Sequence, residues 1–224
     1  MSTHKPLEVL LAIHPGLDLL DLAGPLEFFS HAEFPSSTTK AFNSTTTAVS
    51  EYTTTAQGLT IKRHISIPEA HSTLADYDVL IIPGGGSEVV LGLKSEPIDL
   101  VKAFAALPKK KDGGIRTLLS VCTGSLFLAE AGVLAGQAAT THYLHYDELR
   151  EITATKGETK VVEERFVVSK VDEERGLRII TSGGISSGMD ATLWLIASIL
   201  GEESKEQVAR LVQYSSREAE GFVV

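Results

Sequence analysis

Arg116-Thr117-Leu118-Leu119-Ser120-Val121-Cys122-Thr123-Gly124-Ser125 decides the reading of this chain. Arg116–Val121 is a short run with an apolar centre, which predicts a buried strand, and Thr123 to Ala131 has the composition of a helix. The only cysteine stands between them. Gly124 and Ser125 are small enough for the chain to turn sharply there. A sulfur on such a turn sits at the sheet edge. The helix starting at Thr123 aims its free amides and positive end at the sulfur, which predicts a lowered thiol pKa. The thiolate is the nucleophilic form of cysteine. The mechanics resemble the G-x-S-x-G nucleophile elbow, though the letters differ. A lone cysteine also has a plainer reading, as a small buried hydrophobe.

The same rhythm recurs on both sides of the stretch. Leu7–Ile13 reads as a strand ended by His14-Pro15-Gly16, and Gly24-Pro25 reads as the opening of a helix containing Leu26, Phe28 and Phe29. Val79–Ile82 reads as a strand running into Pro83-Gly84-Gly85-Gly86. Arg178–Thr181 reads as a strand ending in Ser182-Gly183-Gly184, before a broad apolar helix from Ile185 to Leu200 and an amphipathic one over Glu202–Tyr214. A further helix is expected over Ile98 to Leu107, then a solvated Pro108–Gly114 turn with three lysines. Lys160–Val162 and Phe166–Val171 look like a hairpin pair. The Ser/Thr-rich Ala41 to Thr55 reads as a solvated loop, or as edge strands at Thr46–Ser50 and Thr53–Thr55. Repeated strand–turn–helix units predict an α/β fold with a mostly parallel sheet and helices on both faces. Ligands of such sheets bind beyond the carboxyl ends of the strands. Four segments end there on candidate groups: His14 to Asp21, Gly84 to Gly86, Cys122-Thr123, and Gly183-Gly184.

Composition excludes several classes of function. The 224 residues are 43% hydrophobic and carry 20 Lys+Arg against 29 Asp+Glu, a net charge of −9. That acidic balance disfavours nucleic-acid binding, because phosphate backbones are repelled. One cysteine excludes an internal disulfide and any multi-cysteine metal site, and suits a reducing compartment. The histidines lack metalloprotease spacing, so no metal is assigned. The Gly84–Gly86 run has neither the P-loop lysine nor the dinucleotide spacing. No apolar run is long enough for a signal peptide or a membrane span. The expectation is a single domain over residues 1–224 of a soluble cytoplasmic protein, with the nucleus left open.

Individual residues then take candidate roles. Gly85 and Gly86 can bring backbone amides against developing negative charge, or simply form a tight turn. Asp18 and Asp21 are both candidate helix caps. Asp21, between Leu20 and Leu22, is also a candidate for desolvation; burial beside a sulfur would raise its pKa and let it hold a proton. His142 and His145, three residues apart, can share a helix face.

The series Asp21-Leu22-Ala23-Gly24-Pro25-Leu26-Glu27, Ile81-Ile82-Pro83-Gly84-Gly85, Ser120-Val121-Cys122-Thr123-Gly124-Ser125, Ala139-Thr140-Thr141-His142 and Thr181-Ser182-Gly183-Gly184-Ile185, with Gly188 and Asp190, resembles the DJ-1/PfpI (ThiJ/PfpI) superfamily. The nearest likeness is to its isonitrile (isocyanide) hydratase branch and to the amidase-like domains of some AraC-type regulators. No helix-turn-helix module follows residue 200, so a regulator is not expected. The resemblance implies a flavodoxin-like three-layer sandwich, a homodimer, and Cys122 on a strained elbow. It maps the family's acidic partner of the sulfur onto Asp21, where DJ-1 has glutamate. Thr123 stands where protease-like members have histidine, which argues against peptidase activity. His142 falls in a Thr-Thr-His motif shared with the hydratase branch.

The implied activity is cofactor-independent addition of water to an isocyanide, a small-molecule substrate, with Cys122 as nucleophile, Asp21 as proton carrier and Thr123 orienting water. Gly85, Gly86, Gly184 and His142 would line the substrate site. Glyoxalase-type hydration of an oxoaldehyde, a cysteine redox sensor and an inert interaction domain are the alternatives.

Overall fold

The structure is a computed structural model and describes residues 5–224, with Glu218 described by its backbone alone. Its centre is an eight-stranded sheet in the order Gly221–Val223, Phe166–Val168, Leu177–Ser182, Arg116–Ser120, Val79–Ile82, Leu7–Ala12, Phe42–Ala48, Ile65–Ser66. Neighbouring strands pair in parallel except Phe166–Val168 against Leu177–Ser182, which is antiparallel.

Alternation along the central strands builds two cores. Val9 and Leu11 face one side with Val79, Ile81 and Leu119, while Leu10 and Ala12 face the other with Leu80, Ile82 and Leu118. Side chains of a strand alternate between faces, and a parallel sheet buried on both needs apolar residues on both. Helices Leu19–His31, Ser187–Leu200 and Glu202–Leu211 close the first face; Ile98–Ala105, Gly124–Glu130 and Tyr146–Lys156 close the second. This is the three-layer α/β arrangement that the strand–turn–helix rhythm predicts.

Chain order reverses between Leu7–Ala12 and Val79–Ile82: the chain first builds outward from one, then returns to the other. Such a switch point opens a crevice at the carboxyl ends of the two strands. Register brings the other turns to the same level, with Ser120 opposite both Ile82 and Thr181.

Four expectations need correction. Ala41 to Thr55 is not a solvated loop, and of the two edge strands expected there only the second, at Thr53–Thr55, is found, one residue earlier. Phe42–Ala48 lies inside the sheet between Leu7–Ala12 and Ile65–Ser66, and Tyr52–Thr54 forms a hairpin with Thr60–Lys62. Threonine's branched β-carbon suits a strand, and Thr46 and Thr47 are buried there. Lys160–Val161 and Phe166–Val168 do not pair with each other; the first joins Ala138–Ala139, the second Leu177–Ser182. The first helix starts at Leu19, not at Gly24-Pro25, because Asp18 caps it by accepting from the Leu20 amide at 3.0 Å. Pro25 therefore sits inside the helix and cannot donate to the Asp21 carbonyl one turn back. Lastly, the Pro108–Gly114 turn is not merely solvated: Lys110 folds back onto Asp78 in an ion pair whose carboxylate is largely covered.

Candidate active site

Cys122 follows its strand by two residues and has φ +56°, in the left-handed region that costs a side-chain-bearing residue about 1 kcal/mol or more. Its backbone is held on three sides. The amide donates to Gly183 O at 3.0 Å, and the carbonyl accepts from Ser125 Oγ and Thr141 Oγ1, each at 3.1 Å. Gly124 permits the turn, since a β-carbon there would lie 2.2 Å from Ile82 O. The next strand over ends in a second left-handed residue, Ile185, at φ +50°. A positive φ is rare for a β-branched residue, so two strained turns stand side by side.

Asp21, in the first turn of the first helix, is fully buried. Its Oδ2 accepts from the Gly84 amide at 3.0 Å, across the switch point, while Oδ1 has no hydrogen-bond partner among the described residues. Burial, then the negative charge of Asp18, pushes its pKa up to about 7; the Gly84 amide, the Cys122 thiol and the Ile185 amide act the other way.

The thiol itself overturns the expectation of a lowered pKa. Burial first, and the Asp21 charge second, push Cys122 up to about 12; the Thr123 and Ile185 amides oppose this. Two features limit the helix that was expected to activate it. Gly124–Glu130 is only seven residues long, and Cys122 is 7% exposed. Desolvation and a neighbouring carboxylate outweigh a few amides.

Above the sulfur is a cavity of about 450 Å³ lined by Cys122, Thr123, Gly85, Gly86, His142 and Ile185, with Asp18, Ser87, Glu88, Val89 and His145 completing the wall. The Gly85 amide is not free to meet a ligand, because it donates to Thr123 Oγ1 at 2.9 Å. That bond leaves the Thr123 hydroxyl proton available. Gly84 is required by closeness, since a β-carbon would come within 2.6 Å of the Thr123 amide. Gly184 lies under the His142 ring, where a β-carbon would be 2.3 Å from its Cδ2. His142 Nδ1 accepts from the Leu144 amide at 3.3 Å, so the neutral ring carries its hydrogen on Nε2. Burial and His145 lower the His142 pKa. His145 Nδ1 meets Glu148 Oε2 at 2.7 Å.

The sequence-derived residues Cys122, Thr123, Gly85, Gly86 and His142 thus share one cavity wall, with Asp21 beneath the sulfur and Gly184 behind the imidazole. Ser87, Glu88 and Val89 are cavity residues that the sequence does not point to, while Asp18 and His145, candidates there only as a helix cap and as one of a histidine pair, and Ile185 also line the cavity. Asp18 has a capping role that accounts for it locally, and Ile185 is marked only by following two glycines at a strand end. Among the described residues, no group of three or more His, Cys, Asp or Glu is placed to hold a metal ion.

The chain belongs to the DJ-1/PfpI family, whose model matches residues 7–197. It is 31% identical over 138 residues to an isonitrile hydratase of Pseudomonas putida, a match covering 62% of this chain and 52% of that protein. The chain thus spans about half the length of that hydratase. Among solved structures, a ThiJ/PfpI family protein from Pseudomonas syringae superposes with a TM-score of 0.73 at 25% identity, covering 94% of this chain and 76% of the other. Drosophila melanogaster DJ-1beta superposes with a TM-score of 0.71 at 19% identity, over 94% and 100% of the two chains. The family and its fold match what the sequence motifs imply.

Proposed function

We propose that the protein is an isonitrile hydratase-like enzyme that converts an isocyanide and water to an N-substituted formamide through a Cys122 thioimidate. The observation that carries this reading is the Asp21 carboxyl, buried beside Cys122 with its pKa raised to about 7. A group with that pKa donates and accepts protons equally well at neutral pH.

Asp21 carboxylate takes the Cys122 proton as sulfur bonds to the terminal carbon of R–N≡C, and returns that proton to the same carbon. The product is R–N=CH–S–Cys. Water, oriented by the Thr123 hydroxyl, adds to this carbon, giving R–NH–CH(OH)–S–Cys. Collapse breaks the C–S bond, restores the thiol with the hydroxyl proton carried through Asp21, and releases R–NH–CHO. Because the resting thiol is protonated, a base must act as the C–S bond forms, and Asp21 is the buried base at hand. The reaction needs no cofactor. Family resemblance further supports a homodimer and a single domain.

Hydration of an oxoaldehyde is the second reading, favoured by His142 and His145 on the cavity wall. Product analysis by mass spectrometry, with isocyanides and oxoaldehydes offered to the wild type and Cys122→Ser, tests both. Formamide formed by the wild type and lost in Cys122→Ser supports hydration of isocyanides. Formamide formed equally by Cys122→Ser rejects it, as does conversion of oxoaldehydes alone.

A further inference from the structure

The cavity over Cys122 has a one-signed wall. Asp18 and Glu88 line it, and among the described residues no lysine or arginine does. The remaining ionisable groups facing it add no free positive charge. His142 is held towards its neutral form by burial, and His145 is set against the Glu148 carboxylate. Arg165, which lines the neighbouring cleft, is paired with Asp190.

Asp18 is fixed rather than mobile. Its Oδ1 accepts from the Leu20 amide at 3.0 Å and its Oδ2 from Gln57 Nε2 at 2.8 Å, while Gln57 Oε1 accepts from the Leu19 amide at 2.9 Å. Gln57 sits at the tip of the Tyr52–Lys62 hairpin. That hairpin is itself bonded to the His14–Asp18 loop through Gly16 N to Thr54 O and Ala56 N to Leu17 O, both 2.9 Å. The field of Asp18 reaches the reacting groups, since its charge raises both Asp21 and Cys122.

We propose that this wall makes the site charge-selective: Asp18, clamped by Gln57, together with Glu88 excludes anionic reactants from Cys122 and admits neutral and cationic ones. Resting on the hydratase reading, the substrates are isocyanides whose substituent is neutral or cationic, not carboxylate-bearing. The charge preference itself does not depend on that reading. A cleft lined by one sign of charge changes encounter rates by roughly tenfold to a thousandfold, and salt screens the effect.

The test uses the full chain and two methanethiosulfonates of similar size, one ending in trimethylammonium and one in sulfonate. In each, the Cys122 thiolate attacks the thiosulfonate sulfur, a disulfide forms and methanesulfinate leaves. Each rate is divided by the rate of the same reagent with a free thiol. The ratio of the two normalised rates cancels any change in thiolate fraction. The expected wild-type ratio favours the cation by at least about tenfold at low ionic strength and falls as salt is added. Asp18→Asn keeps a good capping residue, and Asp18→Asn with Glu88→Gln should bring the ratio to within about twofold of unity, with melting temperature checked in parallel. Glu88→Gln alone, at an exposed position, keeps the test open if the double variant does not fold, and should move the ratio in the same direction. A wild-type ratio near unity, or a ratio unmoved by these variants, overturns the proposal. Failure to hydrate isocyanides with the labelling ratio intact rejects only the hydratase reading.

Discussion

The Asp21 carboxylate and the Cys122 thiol act on each other in opposite directions: the charge of the carboxylate pushes the thiol up, while the thiol pulls the carboxyl back down. The site at rest therefore pairs a protonated sulfur with an acid that titrates near neutrality. Iodoacetamide labelling against pH checks this. The wild-type rate should keep rising beyond pH 9, with its inflection above the free-cysteine value of about 8.5. Asp21→Asn should move the inflection down by at least about one unit, because the repelling charge is gone. A wild-type inflection at or below the free value contradicts the arrangement.

The same carboxyl sets a stability profile. Its pKa is 3.8 in an ordinary setting and about 7 when folded, so the folded state binds this proton more tightly than the unfolded chain. Folding stability from this group is greatest below pH 3.8 and is lost as pH rises to about 7. Ionised Asp21 above pH 7 costs on the order of a few kcal/mol. Asp21→Asn, which can still accept from the Gly84 amide, should match the wild type near pH 4 and become the more stable of the two above pH 7. Urea titrations at pH 4.5, 6 and 8 measure the divergence; parallel stabilities across that range would count against a buried, proton-holding Asp21.

Strain at the elbow is open to a direct comparison. Cys122 has φ +56°, which glycine adopts freely and alanine does not. Cys122→Ala removes the sulfur and keeps the strain; Cys122→Gly removes both. Glycine elsewhere is usually the less stable choice, by about 0.5–1 kcal/mol in regular structure. Here Cys122→Gly should be at least as stable as Cys122→Ala, and by up to about 1 kcal/mol more so. Thermal melts of the two variants decide it. Both should lose any thiol-dependent turnover.

Much of the sheet was legible because its strands are short apolar runs closed by glycine or proline. Val79–Ile82 has in the structure the bounds its sequence suggests, Arg116–Ser120 ends one residue earlier, and Leu177–Ser182 is longer by one residue at each end. Phe42–Ala48 was harder to read, because its burial comes from neighbouring strands and threonine gives no local apolar signal. The meeting of the turns at Cys122, Gly84 and Gly183 follows from strand order, which repeated strand–turn–helix units imply. The sulfur's ionisation runs opposite to what the helix start predicts, for a physical reason. A helix start is visible in sequence, whereas desolvation and the proximity of Asp21, 101 positions away in the chain, are tertiary. The charge of the cavity wall was hidden for the same reason, since Asp18, Glu88 and His145 come from three separate segments.

A buried ion pair supports the second strained turn. Arg165 Nε donates to Asp190 Oδ2 at 2.5 Å, and the Arg165 guanidinium also donates to Ser186 Oγ at 3.2 Å, beside Ile185. Asp190 is fully buried and accepts as well from Tyr214 OH at 2.9 Å, Ser216 Oγ at 3.2 Å and the Arg217 amide at 2.7 Å. Removing one member of a buried pair strands the other charge, which typically costs 3–5 kcal/mol. Because Asp190 keeps three donors, Arg165→Met should cost about 3 kcal/mol, the lower end of that range. Adding Asp190→Leu would relieve many buried pairs, but here it leaves the Arg217 amide without its Asp190 acceptor and Tyr214 OH with only its longer bond to Ser186 O at 3.4 Å. The double variant should therefore be no more stable than Arg165→Met alone. Chemical denaturation of the three proteins measures both comparisons. A double variant that regains wild-type stability would show that charge pairing, and not satisfaction of the surrounding donors, is what Asp190 contributes to the turn that carries Ile185.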